Sequence, residues 1–244
     1  MAPQNVNAAE FLAGGFEMKL ACLVGVCVAL VASQARGQRE VTFPLLDGPG
    51  QIHGDLYGQG PRGIVLAHGG RFHKESWNRQ AQTLAGAGFL VLAVAFRGDA
   101  LNPDGSPGSF GTDTDNAEDV LAAVAYLRRI GAKTISAVGA SLGGDAVGEA
   151  DAKSKPGTFD RVVFLASEGG GTPEKLSGRK LFIVARDDRS SDGLRLPEIS
   201  RHYARAPEPK KLVVLDGSAH AQFLFDTDQG QRLMNEILRF LTEP

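Results

Sequence analysis

Gly139-Ala140-Ser141-Leu142-Gly143 lies where an apolar run over residues 135–138 ends and a stretch with helical periodicity begins. A sharp strand-to-helix turn of this kind strains the backbone of its central serine and exposes the hydroxyl group at the strand end. The small residues Gly139 and Gly143 allow the strand and the helix to approach closely. We therefore predict that Ser141 is a nucleophile. A glycine-rich turn with an incidental serine is the alternative.

Short apolar runs alternate with helical stretches from residue 63 onward, which predicts a mostly parallel sheet wrapped by helices. The predicted strands are residues 64–67, 89–96, 135–138, 162–166, 181–185 and 212–215. The predicted helices are residues 77–85, 116–129, 144–152, 197–204 and 229–241. Before them, residues 39–45 and 51–58 flank the turn-forming Asp47-Gly48-Pro49-Gly50, which predicts an opening hairpin.

The motif His68-Gly69-Gly70-Arg71 directly follows the predicted strand at residues 64–67. A glycine-rich loop in this place can direct a backbone N–H group at a substrate carbonyl. We predict that the N–H groups of Gly70 and Leu142 form a two-donor oxyanion hole, with Arg71 as the alternative second donor. We expect His68 to brace the loop rather than to act as a base.

Asp187-Asp188 and His220 follow the predicted strands at residues 181–185 and 212–215. Ligands bind at the carboxyl ends of strands in open α/β sheets, so these side chains belong to the same edge as Ser141. A solvated acidic turn and a capping histidine are each common on their own. The order Ser141, Asp188, His220 is that of a hydrolase triad, and we favour Asp188 over Asp187 as its acid.

With these residues the chain resembles the α/β-hydrolase superfamily from residue 51 through the final helix. Within it, the chain is similar to the dienelactone-hydrolase-like and small serine esterase groups. Phe96-Arg97-Gly98, followed by a glycine-rich loop and Asp119-Val120, resembles the usual segment between the second core strand and its helix. Dienelactone hydrolases proper use cysteine where this chain has Ser141, so the resemblance does not imply their particular substrate.

The resemblance implies an α/β-hydrolase fold and a serine hydrolase that cleaves small carboxylic esters through an acyl-enzyme. A peptidase or amidase of the same fold is one alternative, and a secreted binding protein without turnover is another. A complete triad argues against the binding protein. We expect a small-molecule ester as the partner of the site.

The connection over residues 167–180 is short and rich in glycine, which predicts an open site without a large cap domain. This favours small or exposed esters. Phe72, Trp77 and Phe110 are candidates for an acyl pocket, with core positions as the alternative. Asp145, just beyond the elbow, would place a negative charge near the site and disfavour acidic acyl groups.

The formal charge of −2 and scattered Lys and Arg residues predict no nucleic-acid partner. The apolar run at residues 20–32 is shorter than the roughly 20 residues of a membrane span, so we expect no stable membrane anchor. Its surroundings predict a secretory signal over residues 18–35, with a buried helix as the alternative. We then expect residues 1–17 to be an extension before a start at Met18, and residues 36–244 to form one secreted or periplasmic domain.

Both cysteines, Cys22 and Cys27, lie inside the apolar run, so the mature chain should contain neither a disulfide nor a cysteine-based zinc site. No His-Glu-x-x-His motif is present in the sequence. We expect no metal and no cofactor.

Overall fold

The computed structural model describes Met1, residues 37–99 and residues 113–243. The predicted signal segment at residues 18–35 lies outside the described residues, and so does Phe110. Within the described residues, no helix is both long and apolar enough to cross a membrane.

Ten strands lie within the described residues: β1 (Arg39–Pro44), β2 (Gln51–Gly58), β3 (Arg62–Ala67), β4 (Leu90–Val94), β5 (Thr134–Ala140), β6 (Arg161–Leu165), β7 (Arg179–Ala185), β8 (Arg189–Ser190), β9 (Gly193–Leu194) and β10 (Lys210–Leu215). Eight of them form one sheet in the order β1-β2-β4-β3-β5-β6-β7-β10. The six strands from β4 to β10 in this order are parallel, whereas β1 and β2 are antiparallel to their neighbours. The six predicted core strands and the opening hairpin are therefore confirmed.

Strands β8 and β9 pair with each other as a separate antiparallel ribbon. The sequence did not predict this ribbon, because two residues per strand are too few to show a periodicity. The ribbon lies between β7 and the next helix, close to the carboxyl edge of the sheet.

Five α-helices accompany the strands: α1 (Asn78–Gly86), α2 (Asp113–Arg129), α3 (Leu142–Lys153), α4 (Arg195–Arg205) and α5 (Gly230–Thr242). Side chains along a strand point alternately to the two faces of the sheet, so Val65 and Ala67 pack with α2, α3 and α4. Ile64 and Leu66 pack with α1 and α5 on the other face. All five predicted helices are present, and α3 begins directly after Ser141, two residues earlier than predicted.

Arg97 fixes the connection that follows β4. Its backbone N–H and its Nε each donate a hydrogen bond to the carboxylate of Asp119 in α2, both at 2.7 Å. Burial raises the pKa of Asp119, and the hydrogen bonds from Arg97 oppose this rise. The pair therefore ties the end of a core strand to the helix that covers it.

The register of the parallel strands aligns their carboxyl ends. Ala67 of β3 pairs with Gly139 of β5, and Ala185 of β7 pairs with Leu215 of β10. The loops that follow these four strands therefore open on one edge of the sheet. The connection from β6 to β7 contains one short 3-10 helix, Pro173–Lys175, and no cap domain, as predicted.

Candidate active site

Ser141 occupies a strained turn between β5 and α3. Its backbone angles are φ 49° and ψ −122°, a conformation that residues with a side chain rarely adopt. Its N–H donates to the carbonyl of Leu165 at 2.9 Å, and its carbonyl accepts from Gly144 N–H at 2.7 Å. These hydrogen bonds hold the strained turn in place, with the side chain directed to the carboxyl edge of the sheet.

Gly139 and Gly143 are required by the close packing of this turn. A Cβ atom at Gly139 would lie 2.2 Å from the carbonyl oxygen of Gly143, and one at Gly143 would lie 2.3 Å from the carbonyl oxygen of Ala67. Any larger residue would push α3 away from the strands. The turn therefore has the geometry of a nucleophile elbow.

His220 joins Ser141 to Asp188. The Nε2 atom of His220 lies 2.9 Å from Ser141 Oγ, and Nδ1 lies 2.8 Å from Asp188 Oδ2. A carboxylate accepts the Nδ1–H hydrogen bond, which leaves Nε2 free to accept the hydrogen bond of the serine hydroxyl. The three predicted residues thus form one continuous hydrogen-bonded chain.

The structure brings Asp188, and not Asp187, to the histidine. Asp188 is fully buried, whereas Asp187 is exposed and its N–H donates to the carbonyl of Gly217 at 2.9 Å. The second carboxylate oxygen of Asp188 lies 3.6 Å from Arg195 Nε, beyond hydrogen-bond distance. Asp188 therefore lies between the imidazole of His220 and the guanidinium of Arg195.

The two predicted oxyanion donors face the same cleft as Ser141. Gly70, Arg71 and Leu142 all line this cleft. Leu142 is the first residue of α3, where backbone N–H groups have no partner inside the helix. Within the described residues, the N–H groups of Gly70 and Arg71 have no hydrogen-bond acceptor. Both alternatives for the second donor thus have a free N–H group.

The peptide groups on both sides of Gly69 are held by three hydrogen bonds. Gly69 N–H donates to Gln222 Oε1 at 3.2 Å, and the Gly69 carbonyl accepts from Phe72 N–H at 2.9 Å. His68 Nδ1 also lies 2.9 Å from this carbonyl. These hydrogen bonds hold the backbone of the loop directly before Gly70.

Gln222 and His68 both support the loop of the candidate site, and only His68 was predicted from the sequence. Gln222 is buried, and its Nε2 also donates to Ser76 Oγ at 2.9 Å. It therefore links the connection after β10 to the connection after β3, which no sequence pattern pairs. The brace predicted for His68 is present: its Nε2 lies 2.7 Å from Asp99 Oδ2 beneath the loop. Asp99 was not predicted, because nothing in its sequence context distinguishes it from a turn aspartate.

The cleft above Ser141 encloses about 510 Å³. Phe72 lines it and contacts Phe223, with ring centroids 4.8 Å apart. Trp77 does not reach the cleft, because it is buried in the core against Phe225. The pocket role considered for Trp77 is therefore wrong, and the core alternative holds.

Asp145 is turned toward the connection after β6, away from the lining of the cleft. Its carboxylate accepts from Ser167 Oγ at 2.7 Å and from Gly170 N–H at 3.3 Å. Burial raises the pKa of the neighbouring Glu168, and the charge of Asp145 adds to this rise. The structure therefore gives no support to a carboxylate of Asp145 at the substrate.

Metal ligands do not cluster at this site. In residues 37–99 and 113–243, no group of three His, Cys, Asp or Glu side chains is arranged to bind a metal ion.

Comparison with known proteins supports the fold. A model of the Alpha/beta hydrolase family matches residues 64–174. No curated protein sequence matches the chain.

Several solved structures are similar over most of the chain. A dienelactone hydrolase from Anabaena variabilis has 20% identity and a TM-score of 0.66, covering 84% of this chain and 95% of its own. An esterase from Pyrococcus furiosus has 16% identity and a TM-score of 0.67, covering 84% and 91%. An esterase from Rhodococcus has 17% identity and a TM-score of 0.64, covering 84% and 98%.

The chain therefore has the α/β-hydrolase fold. The predicted α/β-hydrolase fold is confirmed, and a dienelactone hydrolase is among the solved structures that share it.

The Gln222 contacts generate a stability prediction. Replacing Gln222 by Leu leaves the buried Gly69 N–H without an acceptor, which costs about 1–3 kcal/mol. We expect urea denaturation to show this loss in the free energy of unfolding. Gln231→Leu is the matched control, because Gln231 is exposed on α5 and bonds only Asn235 there. Equal losses in both variants would show that the buried bond contributes nothing.

Proposed function

We propose that this protein is a serine hydrolase that cleaves small carboxylic esters through an acyl-enzyme. Ser141 is the nucleophile, His220 the general base and acid, and Asp188 the residue that orients the imidazole. The observation that carries this proposal is the unbroken hydrogen-bonded chain from Ser141 Oγ through His220 to buried Asp188.

Acylation begins when Ser141 Oγ attacks the ester carbonyl carbon and its proton moves to His220 Nε2. The carbonyl oxygen becomes an oxyanion, and Asp188 stabilises the imidazolium through Nδ1–H. The bond to the leaving oxygen then breaks, and His220 gives its proton to that oxygen. The alcohol departs and leaves an acyl group on Ser141.

Deacylation repeats these steps with water. His220 takes a proton from water, the hydroxide oxygen attacks the acyl carbon, and the bond to Ser141 Oγ breaks. His220 returns the proton to Ser141 Oγ, so the carboxylic acid leaves and the enzyme is restored.

The oxyanion formed in both halves accepts hydrogen bonds from Leu142 N–H and Gly70 N–H. Removing one such donor typically costs 10²–10³-fold in kcat, so their placement before reaction matters. The hydrogen bonds that hold Gly69 support this role, since Gly70 is the next residue.

Small or exposed esters suit the cleft. It encloses about 510 Å³, and no cap domain covers it in the part of the chain that the structure describes. Two of the similar structures are described as esterases, which supports ester over amide substrates for this chain.

A fluorophosphonate probe tests the nucleophile directly. We expect the wild type to become labelled and Ser141→Ala to remain unlabelled, because an activated serine oxygen displaces fluoride from the probe and becomes phosphonylated. Ser191→Ala is the matched control, since it removes a different hydroxyl that lines the cleft and should keep the label. An unlabelled wild type, or a labelled Ser141→Ala, contradicts the proposal. Hydrolysis of p-nitrophenyl acetate, compared with a peptide anilide, separates an esterase from a peptidase.

The choice between the two aspartates generates a second prediction. Asp188→Asn should lower kcat for p-nitrophenyl acetate on the order of 10⁴-fold, because an amide favours the wrong imidazole tautomer. Asp187→Asn, with the same loss of charge one residue away, should change kcat by less than about 2-fold. Steady-state kinetics of both variants measures this difference. The reverse ranking would assign the acid to Asp187.

We also propose that residues 18–35 are a secretory signal and that cleavage follows Ala35. When the chain is expressed in a bacterium with a periplasm, the exported protein should begin at Arg36. N-terminal sequencing checks this start. Ala35→Glu should block cleavage, because signal peptidases need small residues before the cleaved bond. An exported wild type that retains residues 20–32 contradicts the proposal.

A further inference from the structure

Positive charge is concentrated in the cleft. Arg71, Arg189 and Arg195 are among the thirteen described residues that line it, and none of these thirteen is an aspartate or a glutamate. The whole chain, in contrast, has a formal charge of −2. The described part of the lining therefore has a charge opposite to that of the protein as a whole.

The three arginines come from two separate segments of the chain. Arg71 belongs to the glycine-rich loop His68-Gly69-Gly70-Arg71 after β3. Arg189 lies in β8, and Arg195 begins α4. Within the ribbon of β8 and β9, Arg189 pairs with Leu194, and Leu194 is the residue before Arg195. Two arginines thus belong to one short segment that lines the cleft together with Ser141.

Arg71 and Arg189 differ from Arg195 in their acidic partners. The charge of Arg195 is partly offset by Asp188, whose Oδ1 lies 3.6 Å from Arg195 Nε. Arg71 and Arg189 are exposed, and no carboxylate in the described part of the chain forms an ion pair with either. These two guanidinium groups are therefore available to a ligand.

An unpaired guanidinium in a concave site favours an anionic oxygen group. Arginine presents a planar set of donors that matches a carboxylate or a phosphate with two parallel hydrogen bonds. Low-dielectric walls also focus the field of the clustered charges into the cleft. The adjacent Phe72 and Phe223 supply apolar surface for the rest of the ligand, and Phe223 is 48% exposed.

From this arrangement we infer that the substrate carries an anionic oxygen group apart from the scissile ester, and that Arg71 and Arg189 bind it. This inference rests on the proposed ester hydrolase activity and names the substrate class of that site. Arg195 lies deeper, beside Asp188, and adds to the positive potential around the bound group.

Pairs of esters that differ only in charge test the inference. In the first pair, 4-acetoxybenzoate and neutral 4-acetoxybenzamide, the charge lies on the leaving group. In the second pair, 4-nitrophenyl hydrogen adipate and its neutral methyl ester, the charge lies on the acyl group. 4-Acetoxyphenyl phosphate adds a phosphate probe. After correction for spontaneous hydrolysis, we expect the wild type to prefer at least one anionic substrate by about 10-fold in kcat/KM, the equivalent of 1.4 kcal/mol.

The arginine variants are compared by the ratio of kcat/KM for the charged and neutral members of a pair. Arg189→Gln should lower this ratio most of the way to one, and Arg71→Gln should lower it as well. A structural defect lowers both members and leaves the ratio unchanged. Arg201→Gln is the matched control, because Arg201 is exposed on α4, pairs with Glu198 and does not line the cleft.

The outcomes separate this inference from the proposed function. If neutral esters are cleaved and the wild type prefers no anionic member, the anion site is wrong while the hydrolase proposal stands. A preference that persists in Arg189→Gln and Arg71→Gln, or is lost equally in Arg201→Gln, also overturns it. If no ester is cleaved and the fluorophosphonate probe does not label Ser141, both proposals fail. The probe with the larger arginine-dependent preference identifies the group as carboxylate or phosphate.

Discussion

The close approach of α3 to strands β3 and β5 is the constraint on which the site depends. Hydrogen atoms in place of side chains at Gly139 and Gly143 let the helix begin directly against the sheet, where a Cβ would meet backbone at 2.2 and 2.3 Å. This contact fixes the strained backbone of Ser141 and directs the first N–H groups of the helix into the cleft. The positions of the proposed nucleophile and of one proposed oxyanion donor are thus consequences of a single packing contact.

The remaining site residues depend on hydrogen bonds between loops rather than on the sheet alone. His220 precedes Ala221, whose φ of 52° turns the chain sharply, and Gln222 then reaches across to Gly69. The turn that carries the imidazole and the loop that carries Gly70 therefore share one buried side chain. A shift of either loop therefore shifts the other, and this couples the positions of His220 and Gly70 relative to Ser141.

The grouping of Ser141, Asp188 and His220 could be predicted from the sequence. Each residue follows a predicted strand, and parallel strands place their carboxyl ends at one edge of the sheet. Their catalytic roles stay predictions. Sequence reasoning favoured Asp188 only slightly, since the burial that distinguishes it from Asp187 depends on the turn after β7. The bond between Gln222 and Gly69 joins residues 153 positions apart, which no local pattern can indicate. The ribbon that carries Arg189 was missed for the opposite reason, because it is too short to show any pattern.

The charges around Asp188 connect substrate choice to catalysis. On the proposed mechanism, proton transfer creates an imidazolium at His220 while the guanidinium of Arg195 already lies beside the same carboxylate. One buried anion then faces two cations, and Arg71 and Arg189 line the same cleft with no ion-pair partner in the described part of the chain. On the inference above, an anionic group of the substrate binds these two arginines and offsets their charge. Substrate choice and catalysis would then both depend on charges around a single buried carboxylate.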